Sequence, residues 1–225
     1  MSNTTSRDQD LNILDNRNVS RRSLFQRTAV VAAAVVPLGF LAACGDSSAA
    51  VATGTSLWSA QDNKKAFNEI MADEDAHVAF LLQALASNAR PKPTFKGLQQ
   101  PDLMTFANTS RALENVGVGA YLLAAPFISN KDYLKAAGSI LTIEARHAGY
   151  LDALLGQPLS ANGPFDKPMA QADIVTAASG FISSLNGGSD PGAALQSDLD
   201  ILNFALLLEF LEKEFYDINV PLFFK

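Results

Sequence analysis

From Trp58 onward, apolar residues recur at steps of three and four. Phe67, Ile70, Met71, Val78, Leu81, Leu82 and Leu85 form one such stripe, which predicts an amphipathic helix from about Ser59 to Leu85. Arg90-Pro91-Lys92-Pro93 closes it, because proline cannot continue the helical ladder. A second helix is predicted from Pro101, a favoured first-turn residue, to Ala125, just before Pro126. A third runs from Asn130, a candidate N-cap, to Leu155, with Gly156 as its stop signal. Between Gln157 and Pro191, Gly, Pro, Ser and Asn break the pattern and leave one short helical stretch near Asp173 to Leu185. The last helix is predicted over Ala193 to Tyr216, with Leu195, Leu199, Leu202, Leu206 and Glu209 on one stripe. No period-two run marks a strand. Four long helices, with a long loop and a short extra helix before the last, predict an all-α four-helix bundle over residues 58–225.

Composition narrows the chemistry. Apolar residues make up 48% of the 225 positions, enough for a substantial core that includes Phe204, Phe210, Phe215, Phe223 and Phe224. The formal charge is −6, with no basic stripe, which argues against a nucleic-acid partner. Cys44 is the only cysteine, so one chain can form neither an internal disulfide nor a thiolate metal cluster. Any metal site must use carboxylates and imidazoles.

Charge and hydropathy set the first 44 residues apart. Five arginines against three aspartates precede Cys44, so a basic leader fronts an acidic body. Ser20-Arg21-Arg22-Ser23-Leu24-Phe25 resembles the twin-arginine export signal, and an apolar stretch from Ala29 to Ala43 follows. That stretch is shorter than the roughly 20 residues a membrane span needs. It ends in Leu41-Ala42-Ala43-Cys44, which resembles a bacterial lipobox. Three readings stay open: acylation of Cys44 as a new N-terminus, plain cleavage after small residues, or an uncleaved anchor helix. All three imply export to the periplasm or cell envelope, the first with a lipid anchor in the membrane. Residues 45–57 are small and polar and read as a tether.

The two histidines of the chain share one motif: Glu74-Asp75-Ala76-His77 and Glu144-Ala145-Arg146-His147. Residues three apart on a helix share a face, so each carboxylate–imidazole pair can serve one metal ion. Glutamate fills 7 of the 225 positions, so two such coincidences by chance come to roughly one in a thousand. Bundle dimetal sites take a Glu-x-x-His from two helices and a lone Glu from each of the other two. Glu114, on a mostly apolar segment, is the candidate in the second helix; an exposed strip is the competing placement. In the last helix Glu209 lies on the stripe, Glu212 is the runner-up or a supporting group, and Glu214 points to solvent. Glu114 and Tyr121 are seven apart, as are Glu209 and Tyr216, so a pseudo-twofold repeat is expected. Tyr121 and Tyr216 are either core tyrosines with satisfied hydroxyls or partners of the site. Arg146 is expected to pair with an acid.

The run Ile201-Leu202-Asn203-Phe204-Ala205-Leu206, with Leu208-Glu209-Phe210-Leu211-Glu212 and Glu214-Phe215-Tyr216, is similar to ferritin-like proteins, as is Glu114-Asn115-Val116-Gly117-Val118-Gly119-Ala120-Tyr121. These runs are especially similar to the ferritin-like family that includes plant desiccation-related proteins. That resemblance implies a site of two iron ions, or manganese, held by Glu74, His77, Glu114, Glu144, His147 and Glu209, with the Glu-x-x-His glutamates bridging. The family order begins with a lone Glu helix; here the matching segment comes last, which implies a circular permutation. The implied activities are ferrous iron oxidation or peroxide removal, with dioxygen or peroxide as the oxidant. The alternative is a non-catalytic metal-binding or stress-protective envelope protein. A dimer suits an anchored chain better than a closed storage shell.

Overall fold

The computed structural model describes residues 60–225 apart from position 161. The export signal, Cys44 and the tether lie outside the described residues. Five helices carry the fold: α1 (Ala60–Leu85), α2 (Leu103–Ala124), α3 (Lys131–Leu154), α4 (Gln171–Ser179) and α5 (Asp198–Phe223). Two short strands, β1 (Thr94–Phe95) and β2 (Ile182–Ser184), pair antiparallel.

Capping residues set the helix starts. Asp102 accepts from Thr105 N at 2.7 Å, so α2 starts at Leu103, two residues past Pro101. Asn130 accepts from Asp132 N and Tyr133 N, the N-cap expected of it. Gly156, at φ +66°, follows α3 in the left-handed conformation that ends a helix without strain at glycine. The last helix departs from the sequence expectation at both ends. Ser197 caps it through Asp200 N, so Leu195 precedes the helix, and Leu199 is exposed. At the far end α5 continues through Pro221, in its last turn, to Phe223. A proline there forfeits little of the ladder, and the turn brings Phe223 against Phe106 and Phe224 against Phe67, with ring centroids 5.6 and 4.8 Å apart.

Side-chain pairs give the helix directions. Asp75 meets Lys213 and Arg90 meets Asn203, so α1 and α5 run antiparallel. Tyr121 meets Glu209 and Glu114 meets Tyr216, so α2 and α5 do as well. Arg111 meets Asp152 and Glu114 meets His147, which sets α2 against α3. The α2–α3 turn is short. The α1–α2 and α3–α5 connections are long crossovers between parallel helices. Leu113, Val116, Leu151, Leu207, Leu211 and Phe215 fill one layer of the core between them.

The crossovers are fastened to each other and to α5. β1 belongs to the first and β2 to the second, and Lys96 N donates to Phe181 O at 2.8 Å beside them. These strands correct the expectation of none: two or three residues cannot display a period, and their partner lies in a distant loop. Buried Asn219 of α5 accepts from Gln100 N at 2.8 Å and donates to Leu98 O at 2.9 Å. Asn203 accepts from Arg90 N at 2.6 Å and donates to Asn88 O at 3.0 Å. Among the described residues no helix is long and apolar enough to cross a membrane.

Candidate metal centre

The apolar layers are interrupted midway by charge. Glu74, Glu114, Glu144, Glu209 and Glu212 are buried there, with His77 and His147 only slightly less so. The structure thus places all six sequence-predicted ligands in one region, each on the helix expected of it, and Glu114 lies in the interior. The helical spacing is the cause: i, i+3 pairs on α1 and α3 point both members inward, and Glu114 and Glu209 sit opposite them on α2 and α5.

Both imidazoles aim Nδ1 at carboxylates. His77 Nδ1 lies 3.3 Å from Glu74 Oε2, 3.2 Å from Glu144 Oε1 and 3.3 Å from Glu209 Oε2. His147 Nδ1 lies 3.1 Å from both Glu74 Oε1 and Glu114 Oε2. One ring nitrogen carries at most one proton, so it cannot satisfy three oxygens. Glu74 Oε1, Glu144 Oε1 and Glu209 Oε2 are left without a hydrogen-bond partner, and so are Glu144 Oε2 and Glu212 Oε2, which no ring reaches.

Two quartets of ligand atoms emerge. Glu74, His77, Glu144 and Glu209 form one; Glu74, Glu114, Glu144 and His147 form the other, with the atoms of each within 4.8 Å of one another. Glu74 and Glu144 belong to both. Metal–ligand bonds of about 2.0–2.2 Å put neighbouring donors of one ion roughly 3 Å apart, as each Nδ1 stands 3.1–3.3 Å from its carboxylate oxygens. Buried carboxylate oxygens with no proton donor and a hard oxygen-plus-imidazole donor set fit a pair of divalent ions.

The electrostatics follow from burial. Glu74 is pushed up to about 7, chiefly by burial and against the nearby His147 and His77 rings. Burial, reinforced by neighbouring carboxylates, holds Glu144 and Glu212 well above the usual range. For His147 burial opposes the charged ring, yet its contacts with the Glu114 and Glu74 carboxylates outweigh it and raise the ring to about 11. His77 is raised further, as its contacts with Glu144, Glu209 and Glu74 overcome the same penalty. Without metal the centre is therefore held together by protons and imidazolium charge.

The supporting residues are partly those expected. The Tyr121 hydroxyl donates to Glu209 Oε1 and the Tyr216 hydroxyl to Glu114 Oε1. Each tyrosine thus serves the glutamate of the other helix, not the one seven residues before it. Burial first, then the adjacent carboxylate, keeps both hydroxyls protonated and so able to donate. Asp73 was not expected: its Oδ2 lies 3.1 Å from His147 Nε2. A carboxylate there holds the proton on Nε2 and leaves Nδ1 free to bind metal. Its only local signal is adjacency to Glu74. Asp73, Glu69, Arg146 and Tyr150 also line a surface cavity of about 260 Å³ that reaches His147. Arg146 is exposed and forms no ion pair among the described residues, contrary to expectation. Glu214, expected in solvent, is only partly exposed and pairs with Lys92 at 2.6 Å.

A helical bundle that carries a buried carboxylate–histidine cluster on four helices, compatible with a two-metal site, defines the class. A ferritin-like domain model matches residues 40–157, more than half of the sequence, and the chain belongs to that family. The match takes in α1, α2 and α3 and ends before α5. No curated protein and no solved structure matches the chain.

Proposed function

We propose that this chain is an exported two-metal carboxylate protein that oxidises ferrous iron or removes peroxide. The observation that carries the reading is the pair of ligand quartets sharing Glu74 and Glu144. Glu74, His77, Glu144 and Glu209 would hold one ion, and Glu74, Glu114, Glu144 and His147 the other, iron or manganese in either place. Two such adjacent ions, when bound, supply a two-electron couple for dioxygen or peroxide. The protein's own part is positional. Tyr121 and Tyr216 fix Glu209 and Glu114 by donating to one oxygen of each, leaving the other oxygen to face inward. Asp73 keeps the His147 ring in one tautomer. The packed helices exclude water from all but the histidine edge.

The helix order supports a circular permutation. The antiparallel pairing of α5 with α1 is the relation a short hairpin would give if α5 came first, and a match that stops after α3 agrees with a displaced first helix. The basic leader with its Arg21-Arg22 pair supports twin-arginine export of a protein folded, and loaded, before translocation. Cys44 is the proposed lipid attachment point, placing the bundle at the membrane surface.

Metal content of cytoplasm-folded protein, followed by oxygen uptake on adding ferrous iron, tests the function. Two ions per chain and uptake that is lost in Glu114→Ala are expected. Bound metal without uptake would leave a non-catalytic envelope protein, and no metal at all would remove the reading. Labelled fatty acid incorporation that survives Cys44→Ala would exclude the anchor.

A further inference from the structure

Six ligands leave one buried carboxylate without a task. Glu212 is 3% exposed, and its Oε2 has no hydrogen-bond partner. An unpartnered buried acceptor costs about 1–3 kcal/mol, more if charged, and that cost calls for a compensating group. Its charged neighbours Glu144, Glu74, Glu114 and Glu209 are all acids, and the nearby Tyr121 hydroxyl is already given to Glu209.

The pseudo-twofold repeat locates Glu212. It relates Glu114 to Glu209 and Tyr121 to Tyr216, and these pairs meet across the antiparallel contact of α2 and α5. The same relation carries Gly117 onto Glu212, each three residues after its lone glutamate. Positions midway along such a contact face each other across the axis, and one long side chain can fill the space between them. Gly117 leaves that room. A Cβ at 117 would stand 2.5 Å from Glu144 Oε2 and 3.4 Å from Glu212 Oε1, so any larger residue displaces the shared glutamate. The two oxygens, both close to that one point, are within about 6 Å of each other. A glycine inside a helix costs about 1 kcal/mol relative to alanine. Here the helix bears that cost where the second half-site inserts a carboxylate.

We propose that Glu212 is a seventh ligand of the centre, admitted by Gly117, and that it makes the two metal positions unequal. This rests on the two-metal reading above. One half of the repeat is Glu-x-x-Gly and the other Glu-x-x-Glu, so a carboxylate is added on one side of the axis only. The two ions therefore bind in distinguishable steps.

Anaerobic cobalt(II) titration of the full chain, followed by visible absorption and dialysis counting, tests this. Wild type is expected to take up two ions in two steps. Glu212→Gln, which keeps the side chain's shape, is expected to retain two ions but lose about tenfold or more in affinity in one step. Its visible bands should strengthen, as cobalt's do when coordination number falls. Gly117→Ala should shift uptake in the same direction by displacing Glu144. Denaturant unfolding of the metal-free Gln variant should show stability equal to or above wild type, since a buried unpaired acid is gone. Unchanged affinities and an unchanged spectrum in Glu212→Gln, with wild type binding two ions, would overturn the proposal while the two-metal reading stands. Loss of metal-free stability with unaltered cobalt uptake would assign Glu212 to packing and also overturn it. A wild type that takes up no cobalt would overturn both.

Discussion

At the scale of single residues, the centre shows which contacts a linear chain can announce. Glu74–His77 and Glu144–His147 are legible because helical spacing alone puts both members of each pair on one face. Glu114 is legible as a lone acid on an apolar segment. The link between Asp73 and His147 has no such signature, because its partners lie on different helices. Nor do the tyrosine–glutamate bonds, which cross between helices although the seven-residue spacing suggests pairing within each. Asp73→Asn is expected to keep the fold and weaken binding of one metal ion by about 10- to 100-fold, since an amide no longer holds the Nε2 proton with a full charge. Metal titration checks this, and an unaltered affinity would show the contact to be incidental. Gly117 does leave a trace in the sequence, as a helix-interior glycine three residues from a candidate ligand.

At the scale of elements, the four long helices are readable from periodicity, with boundaries that shift where caps overrule it. Ser197 and Asp200 start α5 five residues later than the apolar stripe suggests, and aromatic packing carries it past Pro221. The crossovers are not readable, because what holds them is tertiary. Asn219 shows this: one buried amide serves Gln100 N, Leu98 O and Phe215 O. Asn219→Ala strands those backbone groups and is expected to cost about 3 kcal/mol. The denaturant midpoint should fall with little change in slope. A shift below about 0.5 kcal/mol would mean water replaces the amide.

At the scale of the whole molecule, the fold places five carboxylates in one apolar interior, an arrangement that favours a bound cation over an empty site. Metal that binds only the folded state stabilises it by mass action. At free metal about 100-fold above Kd the gain is about 2.7 kcal/mol. For a domain of this size that raises Tm by about 5–10 °C. A thermal scan with and without chelator checks it, and coincident transitions would contradict a site assembled in the native state.

The pairing of α1 with α5 also has a consequence for how the chain reaches this state. Their contacts join residues as far apart as Asp75 and Lys213, 138 positions along the chain, whereas α2 and α3 form a local hairpin. Closing the larger loop costs more entropy before any contact offsets it. The hairpin is thus the natural nucleus, and α5 docks afterwards. Ile140→Ala in α3 should slow refolding of the metal-free protein, while Leu211→Ala in α5 should chiefly speed unfolding. Until α1 and α5 join the hairpin, the centre has only two of its four walls. The glutamates stay hydrated through most of the folding reaction, and the expense of burying them falls on its final step.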